Sequence, residues 1–293
     1  MKKTVVLLAI AALLPLSNAV AQDEFEYVVP AFAYHLAGVG ENLWSSEIYI
    51  SNPSGVAAQV RLGEFLPGRI VAPTPCLPPQ GMPREVPPFT TILWPARDVA
   101  FELGCATEIV GGLTFTADRE LSIVSRMVNE KVNEVPVDEG FIPGFGVEIS
   151  GEPMGNATVP GERLMLPALV WHPEACSDPT FETSIGIVNV GDSEVTVGLS
   201  FTRETKPDYV YLNYRPVSEN MQVSVPAHGW RQVTFNPPGG DVLDECKPAE
   251  VFDLIADPDG KVFAYAVVVD RSTQDSRIVL PVPVAEEATR GGR

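Results

Sequence analysis

Polar and apolar residues alternate in short runs along this chain. Ser46-Glu47-Ile48-Tyr49-Ile50-Ser51 and Gln59-Val60-Arg61-Leu62 change character at each step, and residues 183–188 and 196–201 do much the same. A period of two puts one face of a strand on a core and the other in water. Asn52-Pro53-Ser54-Gly55 and Asn189-Val190-Gly191-Asp192 are turn chemistry, so each of these strand pairs predicts a hairpin. Another hairpin is predicted later in each half. Residues 112–116 and 121–128 flank Ala117-Asp118-Arg119-Glu120, and residues 251–255 and 262–269 flank Asp257-Pro258-Asp259-Gly260. In the second of these turns proline presets φ and glycine accepts positive φ. Further strands are expected at residues 89–94, 141–149, 209–214, 222–225, 230–235 and 277–284. No long amphipathic helix is evident, and many of the prolines fall in loops or at strand ends, where the missing N–H is tolerated.

The pattern occurs twice. At an offset of 137, Pro30, Ala31, His35, Ile48, Ile50, Asn52, Val60 and Leu62 fall on Pro167, Ala168, His172, Ile185, Ile187, Asn189, Val197 and Leu199. At an offset of 141, Cys105, Val110, Leu113, Asp118 and Val128 fall on Cys246, Val251, Leu254, Asp259 and Val269. So long a period means two copies of a domain and not a short-period solenoid. With about seven short strands per copy, the expected fold is all-β: two tandem immunoglobulin-like β-sandwich domains related by internal duplication. The boundaries read as 22–150 and 162–287, joined by a Gly/Pro-rich linker at 151–161 and followed by a disordered tail at 288–293. Residues 66–88 and 236–250 read as long loops.

Residues 1–21 do not belong to the fold. Lys2 and Lys3, an apolar run over 5–16 and Ala19-Val20-Ala21 have the layout of a secretory signal peptide cleaved before Gln22. The run is too short for a stable bilayer anchor. A periplasmic or extracellular location follows, with no membrane insertion after cleavage. The net charge of −18 opposes contact with phosphate backbones and anionic headgroups, so nucleic acid is excluded as a partner.

Four cysteines in an exported chain predict disulfides, with three pairings open. One bridge per domain, Cys76–Cys105 and Cys176–Cys246, closes the shorter loops. No Cys-x-x-Cys pair or histidine cluster suggests a metal site.

Catalytic signatures are missing: there is no Gly-x-Ser-x-Gly elbow, zinc helix or glycine-rich phosphate loop. His35 and His172 follow Tyr34 and Trp171 and read as strand-end histidines, and His228 as a turn residue. Asp257 and Asp259 resemble a fragment of a calcium loop, but Val268 stands where that loop needs a bidentate glutamate. A looser calcium site could draw on Asp241, Asp244 and Glu245, and otherwise no cofactor is expected. Trp44, Trp94, Trp171, Trp230, Tyr209, Tyr211 and Tyr214 offer either core packing or a sugar-stacking platform. Tyr209, Tyr211 and Trp230 are the candidate ligand face, since Tyr209 and Tyr211 share one side of an expected strand.

The Pro-Ala-x-x-x-His motif, Trp44 to Ser54, Val86 to Pro88 and Leu121 to Asn129 form a series of landmarks. They resemble those of uncharacterised exported bacterial proteins built from tandem immunoglobulin-like repeats. The likeness covers most of residues 29–130 and, more weakly, 166–285, where Phe181 replaces Trp44 and Val190 replaces Pro53. The resemblance implies fold and compartment, not activity. The expected role is a non-catalytic binding, adhesion or scaffolding protein with a protein or glycan partner at the cell envelope. The alternatives are a carbohydrate-binding module and a glycoside hydrolase on a sandwich scaffold.

Overall fold

A computed structural model describes residues 24–37, 43–70, 76, 81–105, 108–129, 146–171, 181–202, 220–234, 250–270 and 276–284. The first half contains β1 (Phe25–Tyr34), β2 (Leu36–Ala37), β3 (Leu43–Ser51), β4 (Ala58–Ile70), β5 (Arg84–Val86), β6 (Thr91–Pro95), α1 (Ala96–Glu102), β7 (Ile109–Ala117), β8 (Ser122–Asn129), β9 (Gly146–Ser150) and β10 (Glu152–Pro153). The second contains β11 (Leu164–Trp171), β12 (Phe181–Asn189), β13 (Val195–Thr202), β14 (Asn220–Val225), β15 (Gly229–Thr234), β16 (Glu250–Pro258), β17 (Val262–Asp270), β18 (Ser276–Val279) and β19 (Val282–Pro283). The fold is all-β, built from antiparallel sheets. Residues 1–21, 209–214 and 288–293 and most of the 236–250 stretch lie outside the described residues.

Four sheets result. Sheet I runs β10-β1-β7-β4-β5, and sheet IV runs β19-β11-β16-β13-β14. Sheet II has β3 between β8 and β6, with β9 beyond β8 and β2 at the end of β3. Sheet III runs β15-β12-β17-β18. The two halves therefore have the same strand order. Registers match as well: Val29 pairs with Leu113 and Leu166 with Leu254, and both strands slip register over the next two residues, Pro30-Ala31 and Pro167-Ala168. Proline has no N–H for the ladder, which suits it to such a bulge.

The expected hairpins are instead crossings between sheets. β3 lies in sheet II and β4 in sheet I, and β7 and β8 are split in the same way. Turn residues dictate that the chain reverses, not that it returns within one sheet. Side chains hold the crossings. Asn52 donates through Nδ2 to the carbonyls of Val56 and Val86, and its Oδ1 accepts from Ser54 N–H. Asn189 does the same with Ser193, Val225, Pro226 and Gly191. Asp118 Oδ1 accepts from Gln59 N–H, as Asp259 Oδ1 does from Thr196 N–H.

Each half has its own core. Tyr27, Phe32, Ile48, Ile50, Trp94 and Phe115 pack between sheets I and II. Leu166, Ile185, Ile187, Val197, Leu199 and Ala264 pack between sheets III and IV. The outer face of sheet I also meets the outer face of sheet III, burying Val28, Ala33, Leu66, Val110, Val188, Trp230 and Phe263. The layers stack II–I–III–IV around three apolar seams. Residues 151–161, which read as a linker, are woven into this stack. β10 pairs with β1, Met154–Asn156 forms a 3-10 turn, and Thr158 bridges to Val262.

The one α-helix among the described residues follows Pro95, which has extended backbone and leads directly out of β6. Ala96, Val99, Ala100 and Leu103 are buried at helical spacing, so this short segment caps the first core. β4 continues to Ile70, well into the stretch expected to be loop.

Candidate functional site

The sequence-predicted residues separate by burial. Trp230, expected on a ligand face, is only 6% exposed. It projects from β15 onto β4, where a Cβ at Gly68 would overlap its indole. Its Nε1 donates to Tyr265 Oη at 3.2 Å. The Tyr265 ring in turn covers Gly186, where a Cβ would also collide. Burial pushes the Tyr265 phenol well above its usual range. Trp230 is thus an interior residue of the seam between the sandwiches and is removed from any solvent-facing platform. Tyr209, Tyr211 and Tyr214 lie outside the described residues.

Trp94 is fully buried in the first core and meets Phe115 edge to face at 5.9 Å. The Arg84 guanidinium stacks 4.0 Å from its ring centroid and reaches Glu102 Oε1 at 2.6 Å. This pairing ties β5, β6 and α1 together. The Cys76–Cys105 disulfide forms beside it, as expected, and anchors the β4–β5 connection to the end of the helix. Cys176 and Cys246 lie outside the described residues, as do His172, Asp241, Asp244 and Glu245. Trp44 is half-buried.

Outward-facing apolar groups recur along the same stretch of chain. Met82, Phe89 and Phe101 are 86%, 76% and 82% exposed, and Leu93 on β6 and Val56 add to them. Phe89 occupies a turn at φ 55° with its ring over Gly55. A signal for this region existed in the sequence: large apolar residues sit in Pro/Gly-rich stretches with no strand alternation to bury them.

The histidines have structural placements. His35 adopts φ 51°, donates its backbone N–H to Ser45 Oγ, and tilts against Tyr34. His228 occupies a similar left-handed turn at φ 47°. Its Nδ1 lies 3.0 Å from Glu64 and its Nε2 2.9 Å from Asp192. Hydrogen bonding to Asp192 first, and the negative charge of Glu64 as well, hold its pKa above the usual histidine range, against desolvation.

Asp259 is committed to its turn, and Asp257 is exposed on β16. Among the described residues no three His, Cys, Asp or Glu side chains converge on a point that could hold a metal ion. A recess of about 230 Å³, lined by Glu24, Gln59, Arg61, Thr116 and Asp118, lies on the open part of sheet I. It falls below the roughly 300–1,000 Å³ of small-molecule sites. No helix among the described residues is long and apolar enough to cross a membrane.

Comparison with protein-family models, curated proteins and solved structures gives no match.

Proposed function

We propose that the chain is an exported, non-catalytic interaction protein of the bacterial envelope or exterior, and that it binds a protein partner through its first sandwich. The observation that carries this reading is the exposure of Met82, Phe89 and Phe101 within one stretch that leads through β5 and β6 into α1. An apolar patch left in water on a well-packed body marks a contact surface, and these three side chains are proposed as the core of one. Methionine and phenylalanine suit an apolar protein surface. Sugar platforms favour flat rings with a polar edge, and Trp94 and Trp230 are already used in packing.

The fold supports a duplicated immunoglobulin-like unit, similar to the exported repeat proteins that the sequence resembles. Both halves repeat one strand order, one bulge and the same asparagine and aspartate clamps. The β3–β6 and β4–β7 pairs correspond to the inner B–E and C–F pairs of an immunoglobulin domain. The connectivity differs at the ends: β1 takes the place of the last strand beside β7, and β8 that of the first strand beside β3. Export is supported by the pattern of residues 1–21 and by the Cys76–Cys105 bridge.

The test compares the chain from Gln22 onward with the triple variant Met82→Ser, Phe89→Asn, Phe101→Ser; asparagine suits the positive φ at position 89. Both are offered envelope protein extracts and insoluble polysaccharides, with and without calcium. The expected result is saturable capture of an envelope protein by the parent chain and at least a tenfold loss in the variant with unchanged circular dichroism. Saturable retention on a glycan that the variant keeps would replace this reading with a carbohydrate-binding one.

A further inference from the structure

We propose that Glu64, His228 and Asp192 form a proton-operated clamp between the two sandwiches, closed when the imidazole is protonated and released when it is neutral. This goes beyond the binding reading and does not depend on it.

The geometry favours the proton. Glu64 lies 3.0 Å from Nδ1 and Asp192 2.9 Å from Nε2. A neutral imidazole has one N–H and one lone pair, and would turn that lone pair toward a carboxylate. Only imidazolium carries an N–H on both nitrogens and a positive charge for both carboxylates. Glu64 comes from sheet I, whereas His228 and Asp192 come from the turns that flank β15 and β13, so the Nδ1 contact crosses from one sandwich to the other.

All three positions are specialised relative to the repeat. Glu64 stands on a register slip of β4 between Leu62 and Phe65, where Thr114 Oγ1 accepts its backbone N–H. Such a bulge re-aims a side chain. β13, the counterpart strand, runs through the equivalent stretch without a slip: Phe201 pairs with Leu254 as Phe65 pairs with Leu113, so the slip that carries Glu64 has no counterpart there. Asp192 corresponds to Gly55 and His228 to Phe89. The turn itself is the same in both copies: His228 N–H donates to Gly191 carbonyl as Phe89 N–H does to Ser54 carbonyl, and both residues have positive φ. The backbone is repeated, while the clamp's side chains occur once, where the sandwiches meet.

The charged groups around the ring are Glu64 from β4 and Asp192 from the β12–β13 turn. Lys261 stands behind that turn, its carbonyl accepting from Val190 N–H. The raised histidine pKa gives the sign. The contribution is full below the unfolded histidine pKa and is lost as pH rises through the raised folded one. The clamp therefore tightens in mildly acidic surroundings and loosens in alkaline ones.

The test is a proton–carbon NMR titration of histidine in the chain from Gln22 onward. The His228 signal is assigned by its loss in His228→Phe, which installs the residue found at the equivalent turn. The His228 pKa is expected above the ordinary value, to fall in Glu64→Gln, and to fall further in Glu64→Gln/Asp192→Asn. In parallel, the thermal midpoint of the parent should drop more than that of His228→Phe between pH 6 and pH 9. A His228 that titrates at or below the ordinary value overturns the clamp. One that is raised but unmoved by Glu64→Gln shows that Asp192 alone holds the proton, and equally refutes a link between sandwiches.

Discussion

Trp230 shows how one side chain takes its role from what faces it. Its counterpart in the first copy is Thr91, exposed on the free side of sheet II. The same contrast recurs across the seam: Gly186 against Tyr49, Val188 against Ser51 and Phe263 against Ser122. Tyr49 is half-buried and hydrogen-bonds Glu47, whereas Gly186 is bare so that the Tyr265 ring can lie on it. Equivalent positions carry polar groups where the sheet meets water, and large or absent side chains where it meets the other sandwich. On sheet I, Gly112 lies against Val188, while its counterpart Asp253 on sheet IV accepts a hydrogen bond from Ala168 N–H. Trp230→Ala should therefore destabilise the protein by about 3–5 kcal/mol, the usual cost of truncating a buried tryptophan. Denaturant titration of parent and variant measures this. A loss below about 1 kcal/mol would place the indole outside a packed seam.

At the level of elements, the alternation around Ile48, Val60, Ile185 and Val197 located their strands, and the two halves hold them in the same strand order. The Cys76–Cys105 bridge was also legible. Sheet membership was not, because a turn such as Asn52-Pro53-Ser54-Gly55 specifies reversal only. The crossing of β4 to the opposite sheet is held by a long-range contact, Asn52 Nδ2 donating to the Val86 carbonyl. The seam did leave a trace: residues 262–269 are apolar at almost every position, as expected of a strand buried on both faces. The burial of Trp230 was not legible, because one tryptophan in a strand carries no mark of which face it serves. Asp118 tests the clamp reading of the turns. Asp118→Ala removes the acceptor for Gln59 N–H and should cost about 1–2 kcal/mol without altering the core. Chemical denaturation would read the loss. Amide exchange should quicken at Gln59, and an unchanged Gln59 amide would contradict the assignment.

Across the whole molecule, the two halves do not behave as beads on a string. The 151–161 segment pairs with β1 on one side and bridges to Val262 on the other. Tyr265 and Ile149 share a further apolar cluster with Ala31 beside the main seam. With Trp230, Phe263, Val188, Leu66 and Val28 removed from water, separating the sandwiches would expose a continuous apolar surface. The proposed partner surface on the first sandwich is then held in a fixed relation to the second, and the proposed His228 clamp strengthens that hold as pH falls. Scanning calorimetry of the chain from Gln22 onward tests this most directly. The account predicts one unfolding transition whose calorimetric and van't Hoff enthalpies agree. Two resolved transitions in the parent chain, each with half the enthalpy, would show independent domains and contradict it.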